Sequence, residues 1–225
     1  RTVNAAIPAA ALPETFLGLV PGWGGATLLP RLIGVEHALN VILTNPLRQR
    51  TLRGADVDRL GIADAIFEPI NFLEDSLKWA DGVLGGTVKV ERPNEPNLVE
   101  RWVKWPIAIG IARKTLESKI GRVAEAPYRA LELIEKAPKR SKAEGFAAED
   151  AALSELIAGD QFAASIYAFN LVQKRGKRPA GAPDKSLTRR VQLVGIIGAG
   201  LMAQQFALLF VRRLQVPVII TDLDQ

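Results

Sequence analysis

The 225-residue chain has 29 Lys and Arg against 24 Asp and Glu, a formal net charge of +5, and 48% hydrophobic residues. This composition is typical of a globular domain rather than of a disordered chain. The absence of cysteine excludes a disulfide framework and thiolate chemistry, and the single histidine, His37, excludes a multi-histidine metal site. No apolar run reaches the roughly 18 residues of a membrane span. We therefore predict no metal site and no membrane-spanning segment, and nothing in the sequence favours association with a membrane surface.

The excess of positive charge is concentrated in two short clusters, Lys174–Arg178 and the pair Arg189 and Arg190. Both flank the segment 178–183, which is rich in proline and glycine and indicates a linker. Neither cluster contains the aromatic side chains that usually accompany a nucleic-acid-binding face. We interpret them as parts of a solvated linker and predict no nucleic-acid partner.

The first 86 residues predict short helices and one strand. Proline and glutamate within Leu12–Thr15 indicate a helix or turn start. The run Ile62–Phe67 is apolar apart from Asp64 and has the length of a short strand. The predicted helices of this part are Ala26–Leu32, Glu36–Leu43, a short one that ends at Leu60, and Phe72–Val83, which the glycine pair at 85 and 86 ends.

Beyond residue 87 the pattern is mainly helical. The stretch 88–106 has three prolines and mixed charge and predicts a surface connector, whereas Trp102 and Trp105 are predicted to pack a helix onto the core. A helix is predicted from Pro127 to about Lys136, and a capping box of Ser141 and Glu144 starts the next one. This helix is predicted to carry Phe146, Leu153, Leu156 and Ile157 toward a core. A final helix is predicted to place on one stripe Phe162, Ile166, Phe169 and Val172.

Two features of the opening segment are candidates for catalysis. Glu14 is the one acid among apolar residues and glycines, where a carboxyl group can have a raised pKa and act as acid or base. The alternative is an ordinary glutamate at a helix N-terminus. After Pro21, the sequence Gly22-Trp23-Gly24-Gly25 places three glycines in four positions, so the backbone there must pass another group closely. That group is either a reactant or a packing neighbour.

The last 35 residues have the order strand, glycine turn, helix, strand. An apolar run from Val191 to Ile197 is followed by Gly198-Ala199-Gly200, a helical pattern, and a second apolar run that ends at Thr221 and Asp222. This order is the first half of a dinucleotide-binding unit. A flavin-binding unit and a nucleotide-free unit are the alternatives.

Each small residue of this turn has a predicted role. Gly198 allows the tight turn, Gly200 lets the backbone approach a pyrophosphate, and Ala203 lets the helix pack closely on the strand. The pyrophosphate would rest on amides at the helix start, which are those of Leu201 and Met202.

The acid after the second strand indicates which dinucleotide is bound. Asp222 lies 22 residues after Gly200, close to the roughly 20 residues expected of the acid that bonds the ribose hydroxyls. A carboxylate there repels a 2′-phosphate, so NAD is favoured over NADP. Asp224 is the alternative acid, although it comes after the expected end of the strand.

Several strings of the chain resemble, in the right order, the multifunctional proteins of fatty-acid oxidation. LPETFLGLVPGWGG resembles the motif of the enoyl-CoA hydratase (crotonase) family, and RGADVDRLGIADAIFEP resembles a later segment of the same family. SKAEGFAAEDAALSELI and ASIYAFNLVQKRGKRP resemble the helices that join the two enzymes of those proteins. GIIGAGLMAQQFALLF and VPVIITDLD resemble the start of their 3-hydroxyacyl-CoA dehydrogenase, although Gln205 stands where the family often has a further glycine.

This resemblance implies a bifunctional enzyme that hydrates trans-2-enoyl-CoA and oxidises 3-hydroxyacyl-CoA with NAD. Glu14 matches the second of two catalytic glutamates, which delivers the proton to the α carbon, and Gly22 matches a loop glycine whose amide helps to position the reacting water. The first glutamate and the oxyanion amides would precede Arg1, and the histidine–glutamate pair of the dehydrogenase would follow Gln225. We therefore expect a fragment that is inactive by itself in both reactions.

The expected fold class is α/β with three parts. Residues 1–86 are predicted to be the C-terminal part of a crotonase-like domain, 87–188 a helical linker region, and 189–225 the start of a Rossmann NAD-binding domain. The expected partners are an acyl-CoA thioester and, as a candidate, a thiolase subunit, with a cytoplasmic location and an oligomeric intact protein. The alternatives are an enoyl-CoA isomerase, or a non-catalytic scaffold that binds CoA or NAD.

Overall fold

The computed structural model describes residues 1–91, 99–177, 181–187 and 189–222. The chain divides into two compact units, Arg1–Gln173 and Lys174–Gln225. Of the predicted linker 178–183, residues 178 to 180 lie outside the described ranges.

A two-stranded parallel sheet lies in the first unit. Strand β1 (Thr2–Asn4) pairs with β2 (Ala65–Phe67), with Val3 opposite Ile66. The predicted strand Ile62–Phe67 is confirmed in its second half, and it is shorter than predicted because β1 offers three residues to pair with. The pairing partner itself was not predicted, since the alternation in a three-residue strand is too short to recognise.

Helices make up most of the first unit. The predicted short helices, the helix that ends near residue 84 and the helix from Pro127 to Lys136 are confirmed, with boundaries shifted by a few residues. A π-helical turn (Asn40–Thr44) joins α2 to α3. The helices are α1 (Gly25–Ile33), α2 (Val35–Leu39), α3 (Asn45–Leu47), α4 (Gly54–Arg59), α5 (Phe72–Leu84), α6 (Trp105–Ile120), α7 (Ala126–Lys136), α8 (Lys142–Ile157) and α9 (Asp160–Lys177).

One hydrophobic core connects the early helices with the later ones. Ile42, Leu116, Leu131 and Ile134 are almost completely buried in it, together with Leu156 of α8. The helices from residue 99 to residue 173 therefore form one compact unit with the opening segment in the described structure. The assignment of 1–86, 87–188 and 189–225 to separate domains stays a prediction.

The predicted connector over 88–106, of which residues 92–98 lie outside the described ranges, is wrong from Glu100 onwards. A π-helical turn (Glu100–Lys104) leads directly into α6. Pro106 lies in the first turn of α6, where a residue needs no N–H for a hydrogen bond within that helix. Trp105 is 3% exposed, and its indole Nε1 donates a hydrogen bond to the carbonyl of Ile134 at 2.9 Å. Trp102 is 70% exposed, so the prediction that both indoles pack on the core holds for Trp105 alone.

The capping box at the start of α8 is confirmed. The Glu144 amide donates to the Ser141 hydroxyl at 3.2 Å, and the Ser141 amide donates to the Glu144 carboxylate at 2.7 Å. Leu156 faces the core as predicted, but Ile157 is 53% exposed because consecutive helical residues point about 100° apart. In α9, Phe169 and Val172 of the predicted stripe are exposed.

The second unit contains the predicted strand–turn–helix–strand order. Strand β3 (Val194–Ile197) is followed by helix α10 (Leu201–Leu214) and strand β4 (Val218–Thr221). The strands are parallel, with Val194 opposite Val218 and Ile197 opposite Thr221. The predicted run from Val191 becomes strand only from Val194, where β4 provides a partner.

Two helical glycines should respond oppositely to replacement by alanine. A Cβ at Gly145 in α8 would lie 2.4 Å from Thr27 Cγ2 in α1, whereas a Cβ at Gly110 in α6 would meet nothing within 4 Å. We expect Gly145→Ala to lower the free energy of unfolding by about 1–3 kcal/mol through overpacking. The control Gly110→Ala is expected to raise it by about 0.5–1 kcal/mol. Urea denaturation measures both, and a Gly145→Ala variant as stable as the wild type would contradict the close packing of α8 on α1.

Candidate functional site

The backbone around Glu14 is fixed by a short turn. Glu14 begins a 3₁₀ helix (Glu14–Phe16), and its carbonyl accepts hydrogen bonds from the amides of Leu17 and Leu19, both at 2.9 Å. The next side chain, Thr15, is buried, and its hydroxyl donates to the carbonyl of Ile42 at 2.7 Å. The turn is therefore attached to the main core at the residue that follows the candidate acid.

The Glu14 carboxyl group lies in an environment suited to an acid. Its Oε2 atom is buried and has no hydrogen-bond partner among the described residues. Burial raises the pKa of the Glu14 carboxyl above its ordinary value of 4.5, and a hydrogen bond from its own backbone amide opposes this more weakly. The helix-terminal interpretation explains the position of Glu14 but not its buried, unpartnered oxygen. A carboxyl group of this kind can transfer a proton.

The glycine loop has an unusual backbone. Trp23 (φ +55°) and Gly24 (φ +96°) are consecutive residues in the left-handed region, and the Trp23 side chain is 86% exposed. A Cβ at Gly24 would lie 2.7 Å from Leu28 Cδ1, and one at Gly25 would lie 2.5 Å from Pro21 Cβ. The predicted close approach is confirmed, and its cause at these two glycines is packing.

Gly22 differs from the other two glycines of the loop. A Cβ there would lie 3.3 Å from Leu153 Cδ2, a contact that a small shift could relieve. No acceptor among the described residues takes a hydrogen bond from the Gly22 amide. The packing interpretation is therefore weakest at Gly22, whose amide remains available to a reactant.

Glu14 and Gly22 lie on one continuous segment that α9 packs against. Between them, a Cβ at Gly18 would be 3.2 Å from the Cα of Phe162 in the first turn of α9. A cavity of about 490 Å³ lies between this segment and α9, and its lining includes Pro13, Phe16 and Phe169. Neither candidate residue lines this cavity, which borders the turn that carries Glu14.

The sequence interpretation missed one buried carboxylate next to this segment. Glu149 of α8 is 0% exposed, and its two oxygens accept hydrogen bonds from the amides of Gly24 (2.5 Å) and Thr27 (2.7 Å). A signal was present, because Glu149 lies three residues from Phe146 and from Ala152 and so shares the apolar face of the helix. An acid at such a position indicates a specific buried partner.

The glycine turn of the second unit adopts the geometry that its residues predict. Gly198 has φ +102°, which favours glycine, and its amide donates to the carbonyl of Thr221 at 2.6 Å. Gly200 precedes the first residue of α10, and Ala203 is the buried residue of that helix. Asp222 accepts a hydrogen bond from the Ala199 amide at 2.7 Å. The turn, the helix start and the acid after β4 thus lie together.

The residues around this turn fit the pyrophosphate end of a dinucleotide. A Cβ at Gly198 or at Gly200 would meet nothing within 4 Å, so the space beside the backbone is open. No side chain in the described part of the chain caps α10. The first amides of the helix, including those of Leu201 and Met202, can therefore face an anion. The alternative acid, Asp224, lies outside the described residues.

Gln204 and Gln205 follow the turn. Gln204 Nε2 donates to the carbonyl of Ala199 at 3.2 Å, and α10 continues through Gln205 to Leu214. The departure at Gln205 therefore does not interrupt the helix.

Two negative findings concern the described residues. No group of three or more histidine or acidic side chains is placed there to hold a metal ion. None of the helices described in these ranges combines the length and the apolar character needed to cross a bilayer.

The buried carboxyl of Glu14 should make stability depend on pH. Because its pKa is raised, the folded protein keeps this proton to higher pH than the unfolded chain, so the free energy of unfolding falls as pH rises from 4.5 through the folded-state value. Glu14→Gln removes this term. We take the free energy of unfolding of the variant minus that of the wild type. We expect this difference to be larger at about pH 7 than at about pH 4. Urea denaturation at both pH values measures it, and an equal or smaller difference at the higher pH would count against the buried carboxyl.

The solved structures similar to this chain include two enzymes, and no family model matches this sequence. An enoyl-CoA hydratase/isomerase from Pseudoalteromonas atlantica T6c aligns with a TM-score of 0.45 and 18% identity, covering 81% of this chain and 54% of that one. A carnitinyl-CoA dehydratase from Mycobacterium thermoresistibile aligns with a TM-score of 0.48 and 21% identity, covering 82% and 58%.

The curated proteins similar to nearly the whole chain include two fatty acid oxidation proteins. The fatty acid oxidation complex subunit alpha of Idiomarina loihiensis is 28% identical over 217 residues, and the peroxisomal fatty acid beta-oxidation multifunctional protein MFP2 of Arabidopsis thaliana is 29% identical over 221 residues. Each match covers 95% of this chain, which spans 29% of the length of each relative. The resemblance predicted from the motifs is confirmed: along 95% of its length, this chain is similar to part of two fatty acid oxidation proteins.

Proposed function

We propose that this chain is part of a bifunctional protein of fatty-acid beta-oxidation. Its first part would belong to a crotonase-type enoyl-CoA hydratase, and its last 37 residues would open the Rossmann domain of an NAD-dependent 3-hydroxyacyl-CoA dehydrogenase. The similarity to two fatty acid oxidation proteins supports the pathway. The observation that carries the hydratase assignment is the buried, unpartnered oxygen of Glu14 on the same segment as Gly22.

In the proposed hydration, water adds across the double bond between C2 and C3 of an enoyl thioester. The water oxygen bonds to C3 and gives up a proton to a base, which would be the first of the two glutamates that the resemblance implies, while C2, the α carbon, gains a proton. Glu14 would supply the proton to C2, because burial raises the pKa of its carboxyl and keeps it protonated to higher pH. Gly22 would hold the reacting water through its amide, for which no acceptor exists among the described residues.

In the proposed oxidation, this chain would bind the adenosine and pyrophosphate end of NAD. Gly198 and Gly200 would let the pyrophosphate approach the backbone, and the amides of Leu201 and Met202 would donate to it at the start of α10. Asp222, held beside the turn through Ala199, would accept hydrogen bonds from the ribose hydroxyls. Bound NAD would accept the hydride from the 3-hydroxyacyl thioester.

The remaining assignments are also proposals. We propose an acyl-CoA thioester as the substrate, a thiolase subunit as a candidate partner, and an oligomeric intact protein. The cytoplasmic location stays a prediction, and one of the two relatives carries a peroxisomal name.

The test is an assay of the intact protein with trans-2-butenoyl-CoA. Without NAD, we expect the absorbance of the conjugated thioester to fall as 3-hydroxybutyryl-CoA forms. With NAD, we expect NADH to appear. An isomerase would instead convert a 3-enoyl-CoA into the 2-enoyl isomer without adding water. A non-catalytic scaffold would bind CoA or NAD and turn over neither substrate. Either of these outcomes would refute the proposed hydratase.

A further inference from the structure

We propose that Glu149 is a positioning residue that holds the glycine loop 21–25 in its reactive geometry, an inference that rests on the proposed hydration. Glu149 does not reach the reactants in this proposal. It acts through the backbone amides of Gly24 and Thr27, and so on Gly22, which precedes Gly24 by two residues.

The carboxylate of Glu149 performs the task of a helix cap. The first amides of a helix have no partner within the helix, and a side chain at the N-cap position usually accepts one of them. Here the N-cap is Gly24, which has no side chain. Glu149, 125 residues further along the chain, accepts the Gly24 amide at 2.5 Å and the Thr27 amide at 2.7 Å.

The two backbone amides are the main partners of the Glu149 carboxylate among the described residues. Its side chain is 0% exposed, and no Lys or Arg in the described part of the chain pairs with it. Hydrogen bonds from amides to an ionised carboxylate are stronger than neutral ones, and the positive end of the α1 dipole adds to them. Because a buried carboxylate is costly without such donors, Glu149 and the loop depend on each other.

The loop requires an external support. Trp23 is a non-glycine residue in the left-handed region, directly before Gly24, and a side chain keeps such a backbone only where its surroundings hold it. Helix α8 packs against one side of the loop. The Cζ atom of Phe146 lies 2.9 Å from the position that a Cβ of Gly24 would take, and Leu153 Cδ2 lies 3.3 Å from the Cβ position of Gly22.

Gly145 explains how α8 comes close enough to place Glu149. Its Cβ position is 2.4 Å from Thr27 Cγ2, so another residue there would push α8 away from α1. A displacement of the loop by a fraction of an ångström would move the Gly22 amide and the water that it holds, and the rate of a reaction between positioned groups is sensitive to such shifts.

The experiment uses Glu149→Gln in the intact protein, with two readouts. Glutamine has the same shape, but its NH₂ group would face one of the two amide donors, so one hydrogen bond is lost. We expect kcat for hydration of trans-2-butenoyl-CoA to fall about tenfold or more, with KM changed by less than about threefold. We expect the amides of Gly24 and Thr27 to exchange hydrogen about tenfold faster or more.

Ser141→Ala is the matched control. It weakens the same helix at its exposed capping box without touching the loop. We expect kcat within about twofold of wild type for this variant. Glu149→Asp, which keeps the charge but is shorter by one methylene, should lower kcat as well, because one carboxylate oxygen no longer reaches its amide.

The outcomes separate this inference from the proposed function. Unchanged kcat in Glu149→Gln, or an equal loss in Ser141→Ala, would overturn the positioning role. Unchanged exchange at Gly24 and Thr27 would overturn it too, even if the wild type does not hydrate the substrate. The wild type could lack hydratase activity while the amides of Gly24 and Thr27 exchange faster in Glu149→Gln. That result would refute the proposed function but would support the role of Glu149 in holding the loop.

Discussion

Replacing Glu14 by glutamine is expected to lower the rate of hydration of trans-2-butenoyl-CoA by the intact protein about 10²-fold or more. Glutamine has nearly the shape of glutamate but cannot donate the acid proton to the α carbon. Because Oε2 of Glu14 has no hydrogen-bond partner among the described residues, the substitution breaks no contact of that atom. The loss should therefore appear in kcat with little loss of stability.

Steady-state kinetics of the two proteins measure this effect. Glu36→Gln is the matched control, because Glu36 is an exposed acid at the start of α2 in the same unit. We expect kcat of this control to stay within about twofold of wild type. A loss of less than about tenfold in Glu14→Gln, or a loss confined to KM, would remove Glu14 from the proton transfer.

Replacing Asp222 by alanine is expected to weaken the binding of NADH to the intact protein about tenfold or more, because a hydrogen bond to a charged group contributes about 1.5–3 kcal/mol. Two effects contribute. The ribose hydroxyls lose their acceptor, and the Ala199 amide loses the 2.7 Å hydrogen bond that connects the glycine turn to the end of β4. Fluorescence titration with NADH measures the change.

Asp222→Asn separates these two effects. It keeps an oxygen for the Ala199 amide but removes the charge, so NADH binding should weaken less than in the alanine variant. The preference for NADH over NADPH should fall in both variants, because the repulsion of the 2′-phosphate is gone. Asp184→Asn, at an exposed acid of the same unit, controls for the change in net charge. Unchanged affinity in Asp222→Ala would remove Asp222 from the site.

Features encoded in a few neighbouring residues could be predicted from the sequence. The capping box of Ser141 and Glu144 and the turn at Gly198 each need a local pattern and nothing from the rest of the chain. Glu14 was predictable as a candidate because it is the one acid in an apolar segment, and the structure buries one of its carboxyl oxygens without a hydrogen-bond partner among the described residues.

Features that depend on distant partners could not be predicted. Trp105 begins a core helix because its indole meets the carbonyl of Ile134, although the prolines nearby favoured a connector. The amide partners of Glu149 lie more than 120 residues earlier in the chain. The apolar face of α8 could have indicated that Glu149 is buried, but which backbone it binds follows from the packing of α8 on α1.

Incubating the intact protein with trans-2-butenoyl-CoA in D₂O tests the hydration most directly. The product mass and its NMR spectrum show whether water has added and where the new hydrogen lies. We predict 3-hydroxybutyryl-CoA with one deuterium on the α carbon, formed by the wild type and about 10²-fold more slowly by Glu14→Gln. Recovery of the enoyl thioester without a hydroxyl at C3, or equally fast formation of the product by both proteins, would contradict the assignment of Glu14 as the acid of a hydratase.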